Sequence, residues 1–126
     1  MKGDDAIFRR GAEQFNRGEF FDAHETWEVL WLEATGRDKI FLQATIQIAA
    51  AFHHWGCGNR SGTLSLLRRG VEKLAGLPHS CWGVRVDQLR EQAARWCEAL
   101  SSDTGAPGLP IPKIEFGPVS PTLLRK

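Results

Sequence analysis

The residues best suited to chemistry in this sequence lie in one short run, FNRGEFFDAHETWEVLW, from Phe15 to Trp31. This run places His24, Glu25 and Glu28 among aromatic side chains. Ionisable groups are costly to bury, so a histidine and carboxylates in an apolar stretch indicate that they have a partner or a function. The chemistry open to them is hydrogen bonding, ligand binding, metal coordination or proton transfer.

Helical spacing predicts where these side chains point. With successive residues about 100° apart around a helix, the apolar residues of the run fill one arc. His24 and Glu28 lie one turn apart inside this apolar sector, and Glu25 lies at its edge. Thr26 falls on the opposite arc, which we expect to face solvent. We therefore expect His24 and Glu28 on the buried side of the helix.

Three interpretations of the His24 and Glu28 pair are open. The two side chains could form a hydrogen-bonded pair that ties helices together, which is how buried polar groups are usually satisfied. They could instead line a polar pocket for a small ligand. The third interpretation is a divalent metal site with His24, Glu28 and His53 as candidate ligands. It is the least favoured, because HxxxE supplies only two ligands, a zinc site needs at least three, and HETWE lacks the second histidine of HExxH. No cofactor is assigned from the sequence, and a divalent metal stays the least favoured alternative.

The next predicted helix offers partners for this pair. It carries Gln43, Gln47 and His54 on one stripe and His53 on a neighbouring stripe. In one interpretation the glutamine stripe faces solvent and His53 is an ordinary packed histidine. In the other, the glutamines and a histidine turn toward His24 and Glu28. Amides both donate and accept hydrogen bonds, so they suit a polar network or a ligand cradle better than a metal.

Composition limits the classes of protein to which the chain can belong. At 126 residues, with 42% hydrophobic and 25% charged residues, it is expected to form one soluble domain. The net charge of +1 gives no electrostatic reason to expect nucleic acid or an anionic membrane as a partner. No apolar run approaches the roughly 20 residues of a membrane span. Cys57, Cys81 and Cys97 follow no CxxC spacing, which favours free thiols and a cytoplasmic location.

Helical periodicity dominates the chain, and no alternating strand is evident. The pattern predicts an all-α fold, a small antiparallel bundle of about five helices over residues 4–17, 19–34, 38–55, 61–75 and 84–100. Five of the six prolines follow residue 103, so no long helix can form there. We expect one helical domain over residues 1–103. Residues 104–126 would form an extended Pro-rich tail that lies over the domain or over a neighbouring subunit.

The run from Phe15 to Trp31, followed by FLQATIQIAAAFHHW and GNRSGTLSLLRRGVEKL, closely resembles the bacterial and archaeal family known as domain of unknown function 309. The resemblance covers residues 12–77. The matching positions are Phe15, Asn16, Phe21, Ala23, His24, Glu25, Glu28, Trp31, Gln43, Gln47, His53, Gly58, Asn59, Gly62, Gly70 and Leu74. It implies a small bundle of antiparallel helices and a cytoplasmic protein without an established activity. It also favours the inward orientation of the glutamine stripe.

These observations predict a polar cluster inside the bundle, walled by aromatic residues. The cluster comprises His24, Glu25, Glu28, Gln43, Gln47 and His53, and the wall comprises Phe21, Trp27 and Trp31. We predict a non-catalytic domain that binds a small molecule or a protein, with homodimerisation through exposed aromatic surface or the tail as an open alternative. One rival is a hydrolase with His24 or Glu28 as general base, with or without a divalent metal. The other is a structural adaptor whose polar cluster only fixes the helix register.

Overall fold

Helices account for most of the chain. A computed structural model describes residues 2–102 and 107–117, and in these ranges there are five helices. They are α1 (Lys2–Asn16), α2 (Phe20–Trp31), α3 (Gly36–Gly56), α4 (Arg60–Ala75) and α5 (Val86–Ser101). Each helix packs against its neighbours in the chain, as in an up-and-down bundle. The predicted all-α fold is confirmed. None of these helices is long and apolar enough to cross a membrane.

Glycines end two of the helices. Gly18 follows α1 with a φ of 85°, and Gly58 follows α3 with a φ of 79°, a backbone conformation that glycine adopts without strain. The predicted end of α2 was three residues too late. The helix ends at Trp31, although the N–H groups of Leu32 and Ala34 still donate to carbonyls four residues earlier. The helical hydrogen-bond pattern therefore continues into the turn after the regular helix has ended.

The core is a continuous series of aromatic contacts. In order across the molecule the rings are Trp82, Phe8, Trp27, Phe15, Phe52 and Trp96, with neighbouring centroids 5.0 to 6.5 Å apart. Phe8 and Phe15 come from α1, and Trp27 comes from α2. These separations are typical of stabilising aromatic pairs. The series joins the first helix of the chain to the last.

A short hairpin precedes α5, and the sequence analysis did not predict it. Strand β1 (Ser80–Cys81) pairs antiparallel with β2 (Val84–Arg85). Trp82 and Gly83, between them, have φ values of 55° and 79°, as the two central residues of a type I′ turn do. Two-residue strands are too short to show an alternating pattern, which is why periodicity did not reveal them.

Residues 107–117, here called the strap, run without helix beside α1 and α5. The side chain of Asn16 donates to the carbonyl of Ile114 at 3.0 Å and accepts from its N–H at 2.8 Å. Gln92 binds both backbone groups of Lys113 in the same way, at 3.3 and 3.1 Å. The Ile114 side chain is only 3% exposed. The predicted tail over 104–126 is not confirmed as a whole, because residues 104–106 and 118–126 lie outside the described ranges.

Candidate functional site

The buried stripe of α2 differs from the predicted one. The buried residues are Ala23, Thr26, Trp27 and Leu30, which recur at one-turn spacing. Thr26 is 8% exposed, and its hydroxyl donates to the side-chain oxygen of Gln14 on α1 at 2.7 Å. The expectation that Thr26 faces solvent was therefore wrong. A polar residue can lie on the buried stripe because the neighbouring helix supplies its hydrogen-bond partner.

Glu28 is exposed, so the prediction that it faces the interior was wrong. At 100° per residue, Glu28 lies about 140° from Ala23, well away from the centre of the buried stripe. The aromatic side chain of Phe21 made the apolar sector look wider than it is, since Phe21 is itself 51% exposed. Glu25 is exposed as well, in line with its predicted place at the edge.

His24 is half-buried, and the Phe21 ring lies close both to it and to His53 near the C-terminal end of α3. The ring of Phe21 lies 5.8 Å from that of His24 and 5.6 Å from that of His53. With Ala50 and His54, these three residues line a cavity of about 180 Å³. At the other end of α2, the Lys39 ammonium lies 4.2 Å from the Trp31 ring centroid. Helices α2 and α3 are therefore antiparallel neighbours, and His24 and Trp31 lie on the flank of α2 that faces α3.

Three members of the predicted cluster and its wall carry buried polar atoms without a hydrogen-bond partner in the described ranges. They are Nδ1 of His24, Nε1 of Trp31 and Oε1 of Gln47. Most buried polar atoms in proteins are hydrogen-bonded, and an exception indicates a water, a ligand or a partner. A fourth such atom, Oε1 of Gln88, lies on α5 away from the predicted cluster.

Trp27 does not belong to this group. It is fully buried, stacks on Phe8 with the ring centroids 5.4 Å apart, and donates its indole N–H to the Phe8 carbonyl at 3.0 Å. The aromatic wall therefore reduces to Phe21 and Trp31, while Trp27 joins α2 to α1. Its hydrogen bond to backbone could not be inferred from residue spacing.

The predicted polar cluster is not a connected network. Among residues 2–102 and 107–117, no hydrogen bond or ion pair joins two of its members, and Glu25, Glu28 and His53 are exposed. Gln43 and Gln47 are half-buried on α3. In the same ranges, no three His, Cys, Asp or Glu side chains are grouped so that they could hold a metal ion. A binding role for the cluster stays a prediction.

Exposed apolar residues lie near these groups, and sequence reasoning singled out one of them, Phe21, as part of the aromatic wall. Phe21, Val29, Leu32 and Ile40 are 51%, 61%, 66% and 45% exposed, and all lie on α2, on the turn after it, or in the first turns of α3. We define the α2–α3 surface as Phe21, His24, Glu25, Glu28, Trp31, Leu32, Ile40, Gln43, Gln47, Ala50, His53 and His54. Val29 lies outside this surface, since it lines a separate cavity with Asp4 and Ile7 of α1.

Comparison with known proteins gives the family. The family model described as domain of unknown function (DUF309) matches residues 8–66. The crystal structure of the conserved hypothetical protein TTHA0068 from Thermus thermophilus is similar, with 31% identity and a TM-score of 0.64. The similarity covers 75% of this chain and 95% of that one. The chain belongs to the DUF309 family. No curated protein gives a significant match.

The charges on the two helices of this DUF309 member differ in sign. Helix α2 carries exposed Asp22, Glu25 and Glu28 and no lysine or arginine. Helix α3 begins with Arg37, Asp38 and Lys39 and ends with His53 and His54. One half of the α2–α3 surface is therefore acidic, whereas the other half carries amides and histidines.

Other cavities and the thiols lie away from this surface. Cavities of about 360, 380 and 400 Å³ lie beside the hairpin, beside α1, and between α4 and α5, and no residue of the predicted cluster lines them. Burial raises the pKa of the Cys81 thiol, a shift that Arg37 opposes and Asp38 reinforces. Burial also raises the pKa of Cys97, opposed by Arg68. A reactive cysteine needs the opposite shift, so neither residue resembles a nucleophile.

Proposed function

We propose that this DUF309 member is a non-catalytic protein-interaction domain that binds its partner through the α2–α3 surface. The observation that carries the proposal is the coincidence of two features there. Exposed apolar side chains, Phe21, Leu32 and Ile40, lie beside buried polar atoms of His24 and Trp31 that have no partner in the described ranges. Apolar anchors next to polar groups that need partners are typical of a binding surface.

The unpartnered atoms favour a partner that presents amide groups. The indole N–H of Trp31 can only donate, whereas Oε1 of Gln47 can only accept. An amide group, in a side chain or in the backbone, supplies both an acceptor and a donor. The cavity beside His24, at about 180 Å³, is smaller than the roughly 300 Å³ at which sites for drug-sized ligands begin. It offers room for one inserted side chain, which favours a protein partner over a metabolite.

The rival functions have less support. The hydrolase interpretation had His24 or Glu28 as general base, and Glu28 is exposed, so it lacks the burial that would bring a glutamate pKa near neutrality. A purely structural cluster would satisfy its own hydrogen bonds, yet among the described residues His24, Trp31 and Gln47 each leave a buried atom unpaired. A cytoplasmic location is part of the proposal. It is supported by Cys57, Cys81 and Cys97, all of which are free thiols.

A titration with a small peptide analogue, monitored by NMR, tests the proposed binding role. N-acetyl-L-phenylalaninamide carries an aromatic side chain and two amide groups. We expect it to shift the indole N–H resonance of Trp31 and the ring resonances of His24. The indoles of Trp27 and Trp96 are internal references, because each already donates to a backbone carbonyl, of Phe8 and Pro110 respectively.

Two variants sharpen this titration. His24→Ala removes one wall of the cavity, so we expect the Trp31 shift to saturate at a higher concentration of the analogue. His79→Ala is the matched control, because His79 is exposed on the hairpin side and does not line the cavity. The proposal fails if Trp31 does not respond in the wild-type protein, or if Trp27 and Trp96 respond as strongly as Trp31.

A further inference from the structure

We propose that the partner of the α2–α3 surface is a second copy of this chain, an inference that rests on the proposed function. The two copies would face each other across a two-fold axis that runs parallel to α2 and α3. Helix α2 of each copy then lies over α3 of the other. Such an isologous contact requires a surface that is complementary to itself.

The charges meet this requirement. A partner of a single opposite charge would match only half of the surface, because α2 is acidic and α3 is not. Rotation about an axis parallel to the helices places Glu25 and Glu28 of one copy over the amide and histidine half of the other. It also keeps the carboxylates of the two α2 helices apart. The same face thus supplies both the acidic patch and its complement.

The apolar residues match in position as well. Leu32 follows Phe21 by 11 positions, roughly 16 Å at the helical rise, and Ile40 precedes His53 by 13 positions, roughly 20 Å. Phe21 and His53 are already in contact at one end of the antiparallel pair. In the proposed dimer, Leu32 of one copy therefore reaches the level of Ile40 of the other. At the opposite end, Phe21 of each copy lies over the cavity beside the other copy's His53.

The size of the surface indicates a weak dimer. Helix α3, with 21 residues, is roughly 31 Å long, and two adjacent helices are roughly 20 Å wide, about 600 Å² per copy. Standard stable interfaces bury about 800 Å² per partner. We therefore expect dimerisation to depend on concentration rather than to be permanent.

Sedimentation equilibrium of the full chain tests the proposal. The wild-type mass is expected to rise from 14.1 kDa toward twice that value as the concentration increases. Leu32→Asp places a buried carboxylate in the proposed interface, so this variant is expected to stay at the monomer mass. Val29→Asp is the matched control. It is equally exposed and near Leu32 but lies outside the α2–α3 surface, so it should dimerise like the wild type.

A compensating change tests the packing of α2 over α3. Adding Ile40→Lys to Leu32→Asp is expected to restore the dimer, because the new opposite charges face each other across the axis. A monomeric wild type, equal effects of Leu32→Asp and Val29→Asp, or a failure of the compensating pair would each overturn the proposal. A monomer whose Trp31 resonance still responds to the peptide analogue would leave the proposed function intact and exclude only the second copy as its partner.

Discussion

At the scale of single residues, a glycine sets the distance between α1 and α2. A Cβ atom on Gly11 would lie 2.3 Å from Nε1 of Trp27, far inside van der Waals contact. Trp27 is fully buried and hydrogen-bonded to the Phe8 carbonyl, so it cannot move aside. The absence of a side chain at Gly11 allows the indole to lie against the backbone of α1.

Gly11→Ala is therefore expected to destabilise the protein by about 1–3 kcal/mol, the usual cost of overpacking a core. The measurement is the free energy of unfolding from urea denaturation, followed by circular dichroism. Gly3→Ala in the same helix is the control. A Cβ atom there would meet nothing within 4 Å, so the better helix former should leave stability unchanged or slightly higher. Equal losses in both variants would contradict this account.

Single residues also show the limits of the sequence analysis. His24, Trp31 and Gln47, which the sequence singled out, carry buried polar atoms without a partner in the described ranges, as does Gln88, which it did not single out. The orientation of Glu28 was misjudged because Phe21 was counted as buried, and that of Thr26 could not be predicted. Spacing along one helix does not reveal which neighbouring helix supplies a hydrogen-bond partner, as Gln14 does for Thr26.

At the scale of elements, the strap is held by side chains of α1 and α5 and by backbone hydrogen bonds to the hairpin. The N–H of Arg85 donates to the Glu115 carbonyl at 3.0 Å, and the N–H of Gly117 donates to the Gly83 carbonyl at 3.1 Å. Asn16, at the last position of α1, binds both backbone groups of Ile114. Gln92 of α5 does the same for Lys113, and Trp96 donates to the Pro110 carbonyl at 2.9 Å. The two amide side chains form the hydrogen bonds that a neighbouring strand would otherwise make with the backbone groups of Lys113 and Ile114.

Asn16→Ala is expected to lower the free energy of unfolding by about 2 kcal/mol, since it leaves two part-buried backbone groups of Ile114 without partners. Hydrogen exchange of the Ile114 amide, together with urea denaturation, measures the effect. Asn16→Asp keeps an acceptor for the Ile114 N–H but turns a carboxylate oxygen toward the Ile114 carbonyl at the C-terminal end of α1, so it should lower stability as well. An unchanged exchange rate in Asn16→Ala would show that the strap does not depend on this residue.

The five helices were predictable, and the strap contacts and the hairpin were not. Helical periodicity and the glycines at positions 18 and 58 carry enough local information to place helices. A contact such as that of Asn16 with Ile114 spans 98 positions and leaves no periodic signal. The exposed residues Leu32 and Ile40 were missed for a related reason, because apolar residues near a turn look like core in the sequence alone.

At the scale of the whole molecule, the buried thiols make stability depend on pH. Burial raises the pKa of Cys81 and of Cys97 above the usual thiol value. As the pH rises past that usual value, the unfolded chain releases thiol protons that the folded protein retains. The unfolded state then binds fewer protons, so stability falls as the pH rises through the raised pKa values.

We therefore expect the urea midpoint, measured under reducing conditions, to decrease in the alkaline range above the usual thiol pKa. Combining Cys81→Ala with Cys97→Ala should lower stability at every pH but reduce the alkaline slope. Cys57→Ala, at an exposed position, should keep the wild-type slope. An alkaline slope that is the same in all three proteins would assign the effect to groups other than the buried thiols.

The strap also has a consequence for the order of folding. Contacts between successive helices join residues that are close in the chain, whereas the hydrogen bonds between Asn16 and Ile114 close a loop of 98 positions. Closing such a loop costs roughly 3 kcal/mol more than closing one of about four residues. The helices can pack through contacts between residues that are close in the chain before this long loop has to close. The strap, which contacts both the first and the last helix, is therefore expected to dock last during folding, after the folding nucleus has formed among the helices.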